Sequence, residues 1–191
     1  KKTFYEVTKN LLGAKEELDD LLSSSESGDR YSIFTKLVLN LEKRKNKTIS
    51  PSVLSDRYSE ICEHKITHAK EVEGAISAIK ELKVLGIKIF ISSATPEAPL
   101  KKIIENRGWL KFFDGVFGAP HSKDEHVNKI IRKYQFSSEE IIYVGDSEID
   151  RSAALLSGCN FIGIGKNWSR FKLKPSILLP NLKNFKKELN L

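Results

Sequence analysis

Apolar residues recur at helical spacing through the first third of the chain. Phe4, Val7 and Leu11 share one face, as do Leu18, Leu21 and Leu22, while Ile33, Phe34, Leu37 and Leu41 mark a helix over about 30–42. The polar run SSSESGD at 23–29 reads as the loop before that helix. Ser50-Pro51 supplies an N-cap followed by proline at the first helical position, opening a helix through Leu54, Tyr58 and Ile61. Residues 1–70 contain no convincing strand pattern.

Beyond residue 70 helix and strand patterns alternate. GAISAIKELKVLG reads as a helix with Ala75, Ile79 and Leu82 on one face and Gly86 as its stop. IKIFIS, 87–92, is predicted as a strand. Thr95-Pro96 is predicted to open the next helix, which buries Leu100, Ile103 and Ile104 and ends at Gly108. A short strand around Val116 follows, then a helix bearing Val127, Ile130, Ile131 and Tyr134, opened by a Ser122/Glu125 capping box. A strand at 141–145, a helix to Gly158, the strands NFIGI and SILL and a terminal helix complete the pattern. Near-continuous apolar strands alternating with helices predict a parallel sheet covered on both faces. The expected architecture is therefore α/β: a three-layer core over 71–191 with a helical domain over 1–70. Ligands of such sheets collect at the carboxyl ends of the strands.

Composition narrows the class without changing it. The chain of 191 residues, 40% hydrophobic and 30% charged, suits a soluble globular protein with one core and a small accessory lobe. No apolar run approaches the roughly 20 residues that span a bilayer, and no signal-peptide pattern opens the chain. Cys62 and Cys159 lack CxxC spacing, so a reducing, cytoplasmic setting is expected. The net charge of +7 raises the question of nucleic acid. The lysines are spread over polar helix faces, however, and the densest cluster, Lys183 to Lys187, is interleaved with apolar residues, as a solvated face would be. His64 and His68 at i, i+4 have no third ligand at suitable spacing and read as a surface pair. The GxG of GIGKNW is not a dinucleotide fingerprint.

Three strand ends carry unusual chemistry. In FISSATP, Ser93 follows a strand just before a helix start, where a hydroxyl either caps the helix or helps cradle a phosphate; alone, capping is the simpler reading. In GAPHSKDE, Lys123 stands in the first turn of a helix, a placement the helix dipole opposes unless an anion shares the site. In IIYVGDSEID, Asp146 ends a strand and Asp150 follows four residues later. The repulsion between two such acids is relieved by a hard cation that takes oxygen ligands, and Mg²⁺ is the expected ion.

Ser93, Lys123 and GDSEID occur in the order and spacing of three motifs of the haloacid dehalogenase superfamily, and the phrases KELKVLGIKIFISSATP, FFDGVFGAPHSK and IIYVGDSEIDRSAALLSGC resemble its phosphoglycolate-phosphatase-type members. The resemblance runs from about Val72 to the C-terminus, and residues 1–70 look like that group's α-helical cap. It implies a Mg²⁺-dependent phosphatase of a small phosphorylated metabolite, with a cap that closes over the site and chooses the substrate. It further implies that Ser93 and the backbone N–H of Ala94 bind phosphoryl oxygens, that Lys123 neutralises charge, and that Asp146, with Asp150, holds Mg²⁺ beside a supporting Ser147. Arg30, in SGDRYSIF, reads either as a solvated helix-start residue or, since related caps present a loop arginine to the substrate, as a clamp on a phosphate or sugar acid. Phosphonate, mutase and dehalogenase variants of the fold fit these residues less well. The alternatives from other classes are a non-catalytic phosphate-binding or interaction protein on the same fold and, more weakly, a basic nucleic-acid module.

The family's first motif, a strand ending in DxDG with an aspartate nucleophile, has no match here. ELDDLL lies in a helical pattern, and FFDGVF has one acid at the wrong place. The chain contains no methionine and opens in a helical pattern, so that motif and its strand are expected just before Lys1.

Overall fold

In the first part of the chain, Phe34, Leu18, Leu37, Leu41 and Leu54 are fully buried, the outcome that their helical spacing requires. They belong to helices α1 (Lys2–Thr8), α2 (Ala14–Ser23), α3 (Arg30–Lys43) and α4 (Pro51–Thr67). Phe4, Phe34 and Tyr58 form an aromatic trio, with Phe4 5.2 Å from Phe34 and 4.6 Å from Tyr58 between ring centroids. The buried carboxylate of Glu17 accepts a 2.9 Å hydrogen bond from Asn40 and pairs with Arg44, which ties α2 to the end of α3. The computed structural model describes residues 2–23, 30–44 and 49–191, so nearly all of the expected 23–29 loop lies outside them. The chain divides into two compact units, Lys1–Ala69 and Lys70–Leu191.

The second unit carries α5 (Ala75–Val84), β1 (Phe90–Pro96), α6 (Glu97–Asn106), β2 (Gly115–Ala119) and α7 (Lys123–Tyr134). It continues with β3 (Ile142–Gly145), α8 (Glu148–Leu156), β4 (Asn160–Ile164), β5 (Ile177–Leu179) and a short α9 (Phe185–Glu188). Every strand pair is parallel, as the alternating pattern predicts. The strands form two separate sheets, β1-β2 and β3-β4-β5, with Ile91 opposite Val116 in one and Tyr143 opposite Phe161 in the other. Separate apolar clusters underlie them. Leu100, Ile104 and Val116 pack between α6 and β2; Val127, Tyr143 and Ala154 pack among α7, β3 and α8; Ala78, Ile162 and Phe185 join α5 to β4 and α9. An apolar cavity of about 790 Å³ is lined by both β1 and β3. No helix among the described residues is long and apolar enough to cross a membrane.

Three local expectations are corrected. The first strand runs over Phe90–Pro96 rather than 87–92, because its partner β2 begins only at Gly115. Residues before it are held instead by Asp114, whose carboxylate accepts from the Ile89 N–H at 2.8 Å and from Lys83 at 2.9 Å. The helix after β1 starts at Glu97 with Pro96 at its N-cap, so neither Ser93 nor Thr95 caps it, and the Ser50 hydroxyl at the α4 N-cap meets Ser52 instead of a helix N–H. The strands are also not uniformly covered: Tyr143 is buried but its neighbours Ile142 and Val144 are 44% and 38% exposed.

The helical unit depends on its aromatic centre. Phe34→Ala is expected to lower its stability by about 3–5 kcal/mol in urea unfolding followed by far-UV circular dichroism. Leu12→Ala, at a side chain 79% exposed, should change it by less than about 0.5 kcal/mol.

Candidate functional site

The turn after β3 is built around one buried carboxylate. Asp150 is 5% exposed, and its Oδ2 accepts hydrogen bonds from the Ser147 hydroxyl at 2.6 Å and from the Asp146 N–H at 3.3 Å. Ser147 N-caps α8, its Oγ taking the Asp150 N–H at 3.4 Å. The other oxygen of Asp150 forms an ion pair with Lys123 Nζ, both side chains being largely buried. Glycine at 145 permits this approach: a Cβ there would stand 2.3 Å from Cβ of Asp150. Glycine at 118 has the same role beside β1, where a Cβ would stand 2.5 Å from the Thr95 carbonyl oxygen.

Lys123 is the first residue of α7, behind a complete Ser122/Glu125 capping box, as the spacing predicts. The unfavourable placement of a cation at a helix start is offset by Asp150, and by Asp124 and Glu125 in the same turn. The Lys123–Asp150 pair therefore ties the carboxyl end of β2 to the carboxyl end of β3. Asp146 points elsewhere: its carboxylate pairs with Arg170, and its side chain is 56% exposed.

Glu148 locks this turn to the segment around residue 170. Its carboxylate takes two hydrogen bonds from Arg151, at 2.6 and 3.0 Å, and one from the Lys172 N–H at 2.9 Å, while its own N–H donates to the Arg170 carbonyl. These contacts, Arg151 first, lower its carboxyl to about 2.

On β1, Ser93 Oγ accepts from the Thr95 N–H at 3.1 Å, and Ala94 is exposed. Among the described residues no hydrogen bond joins Ser93 to Lys123, Asp146 or Asp150. Its neighbour Ser92 points inward, with Oγ 2.9 Å from His126 Nδ1, and His126 Nε2 lies 3.1 Å from the Gly118 carbonyl oxygen. A carbonyl can only accept, so Nε2 carries the proton and Nδ1 accepts from Ser92. Burial lowers the His126 pKa, in keeping with this neutral form. Among the described residues Tyr143 Oη is buried without a hydrogen bond of normal geometry, and burial pushes its pKa up to about 12; the nearby Ser92 hydroxyl opposes the rise and the Asp150 carboxylate adds to it. Arg30 begins α3 in the helical unit, half-buried, where its charge lowers the pKa of Tyr58 against a larger rise from burial and Cys62. His64 and His68 lie with ring centroids 4.4 Å apart, and among the described residues no three His, Cys, Asp or Glu side chains gather as a metal cluster.

The structure thus joins Lys123, Asp146, Ser147 and Asp150 in one network, with Arg30 in the other unit; Ser93 and Ala94 lie inside β1, where its pairing with β2 is interrupted between Ser92 and Pro96, and do not follow the strand as expected. His126, Tyr143, Glu148 and Arg170 were not singled out from the sequence. His126 had a signal, since it lies four residues before the buried Ile130 on the same helix. Arg170 had none, because 24 residues separate it from Asp146.

The chain matches the model of the haloacid dehalogenase-like hydrolases over residues 15–164. It belongs to that family. This haloacid dehalogenase-like protein is 28% identical over 130 residues to a phosphoglycolate phosphatase of Vibrio cholerae, which covers 62% of the chain and 57% of that relative. The chain thus spans little more than half the length of this curated relative. Its fold is that of a predicted phosphoglycolate phosphatase from Haemophilus somnus, with a TM-score of 0.71 at 16% identity over 98% of this chain and 88% of the other. A Bacillus subtilis HAD-type protein bound to magnesium superposes with a TM-score of 0.70 at 18% identity, over 100% of this chain and 89% of the other.

The low pKa of Glu148 gives a pH dependence of known sign. The stability it contributes is present above about pH 4.5 and is lost as pH falls toward its folded value of about 2. Glu148→Gln should therefore flatten the fall in urea midpoint between those limits relative to the unaltered protein, and parallel curves would contradict the assignment.

Proposed function

We propose that the α/β unit is the phosphoryl-binding part of a Mg²⁺-dependent phosphatase acting on a small phosphorylated metabolite. The observation that carries this reading is the Lys123–Asp150 pair where the carboxyl ends of β2 and β3 meet, with Asp146 beside it. Ser93 and the Ala94 N–H would receive phosphoryl oxygens at the interrupted stretch of β1 between Ser92 and Pro96. Lys123 would neutralise their charge, and Asp150 and Ser147 would hold its ammonium in place.

The donor set fits Mg²⁺, an ion that keeps several waters and needs only one or two protein carboxylates. Asp146 is the accessible oxygen donor, and Asp150 is the supporting one, since Lys123, Ser147 and the Asp146 N–H already engage it. When bound, the ion would supply charge neutralisation at the phosphoryl oxygens. Arg170 now holds the Asp146 carboxylate and would release it to the ion.

Phosphoryl transfer by the family's route needs an aspartate nucleophile. Asp19 and Asp20 lie in α2, and Asp114 is held by Lys83 and the Ile89 N–H, so none takes that role. We assign the nucleophile, and the aspartyl-phosphate formed on it, to a segment outside these 191 residues. The helical unit would carry substrate choice, with Arg30 as the candidate contact to an acidic group, in line with relatives named for phosphoglycolate. The same lack of a nucleophile favours a second reading, a phosphate-binding protein without turnover.

Titration calorimetry with inorganic phosphate separates these readings from a purely structural site. Binding should require Mg²⁺ and weaken by about tenfold or more in Asp146→Asn and in Lys123→Met, a loss of about 1.4 kcal/mol. Mg²⁺-dependent hydrolysis of an aryl phosphate by a polypeptide that includes the nucleophile segment, abolished in Asp146→Asn, supports the phosphatase. Phosphate binding without hydrolysis supports the second reading, and no binding contradicts both.

A further inference from the structure

The lysines are scattered along the sequence, but the structure gathers five of them at the amino end of the β1-β2 sheet. Lys80 and Lys111 stand over the Phe112 ring, 5.9 and 5.4 Å from its centroid, and Lys88 and Lys133 stand over Tyr134 at 5.3 and 5.2 Å. Lys83 and Lys88 share the Asp114 carboxylate, at 2.9 and 3.9 Å, which joins the two groups. Asp114 immediately precedes β2, and its N–H donates to the Ile89 carbonyl just before β1. The lysines therefore lie at the opposite end of these strands from Lys123 and Asp150. Nearly all of the chain's positive excess belongs to this unit, with 20 Lys and Arg against 14 Asp and Glu over Lys70–Leu191.

Three observations say what this surface fits. The first is charge. Lys80, Lys111 and Lys133 face rings rather than carboxylates, and even with Asp114, Glu81 of α5 and Glu140 set against them the five lysines leave the surface positive. The second is apolar exposure at the same place. Val84 is 88% exposed, Leu85 45% and Leu110 44%. Lys80, Lys83 and Val84 share one face of α5 at i, i+3 and i+4, and α5 packs against the short 3₁₀ turn Leu110–Phe112, so aliphatic side chains stand among the ammonium groups. The third concerns the rings. Phe112 and Tyr134 are half-buried beneath the lysines, which makes them poor platforms for stacked bases. A nucleic acid would match the charge and leave Val84, Leu85 and Leu110 in water. A lipid surface matches both, because lysine stems reach headgroup oxygens while short aliphatic side chains enter the acyl boundary.

We propose that the amino end of the β1-β2 sheet is a docking surface for an anionic membrane. Lys80, Lys83, Lys88, Lys111 and Lys133 engage the headgroups, and Val84, Leu85 and Leu110 enter the boundary beneath them. The inference rests on this surface and not on the phosphatase reading, and its test uses no phosphate ester and no activity.

The probe is a vesicle of equal parts phosphatidylcholine and phosphatidylserine, mixed with the whole chain and read by co-sedimentation. The chain should sediment with these vesicles and not with phosphatidylcholine alone, and its binding should weaken as salt rises. Lys80→Gln with Lys111→Gln should weaken binding about twentyfold, roughly fivefold for each lysine. Val84→Ser should weaken it about threefold or more without changing the salt dependence, and its far-UV circular dichroism should match that of the unaltered protein. Lys166→Gln with Lys174→Gln removes the same charge elsewhere and should change binding by less than about twofold. The proposal is overturned if neither vesicle binds, if phosphatidylcholine alone binds equally well, or if the Lys166/Lys174 variant loses as much as the Lys80/Lys111 variant. It is also overturned if Val84→Ser has no effect, or if a single-stranded oligonucleotide binds through Lys80 and Lys111 while the vesicles do not.

Discussion

A single ion pair organises the α/β unit. Lys123 opens α7 and Asp150 lies in the first turn of α8, so their contact joins the helix after β2 to the helix after β3. Among the described residues the two sheets share no strand pairing, and this bridge is a polar link between their carboxyl ends. Largely buried charges are costly unless matched. The match here is complete on the acid side, because the Ser147 hydroxyl and the Asp146 N–H take the remaining Asp150 oxygen. Gly145 is dictated by the same carboxylate, which occupies the space a side chain would need.

Two acids four residues apart thus have different surroundings. Asp150 is enclosed and engaged, so it acts as a fixed negative charge that orients Lys123. Asp146 reaches solvent, where its only ion-pair partner among the described residues is the exposed Arg170. That division suits a site in which one carboxylate sets the geometry and the other meets a ligand. Glu148, bound to Arg151 and to the Lys172 N–H, keeps the segment carrying Arg170 against the same turn.

Much of this was legible in the sequence. Helical spacing located α1 to α4 because their apolar stripes face one small core, and the Ser122/Glu125 box located α7 because capping is a local interaction. The GDSEID run and Lys123 pointed to the site through local features, namely an acid pair after a strand and a cation against a helix dipole. What was not legible depends on partners distant in sequence. The start of β1 is set by where β2 begins, and the Asp146–Arg170 and Ser92–His126 contacts cross 24 and 34 residues. Apolarity could not show that Ile142 and Val144 would stand partly exposed, because a strand flanked on both sides and one flanked on a single side read alike.

The central claim is that the Lys123–Asp150 bridge holds the two carboxyl ends together, and a double-mutant cycle of Lys123→Met and Asp150→Asn measured by urea unfolding tests it most directly. A coupling of about 2 kcal/mol or more is predicted, with the double variant more stable than the sum of the single losses allows. Additivity within about 0.5 kcal/mol would contradict the account, because it would mean that the two charges do not depend on one another.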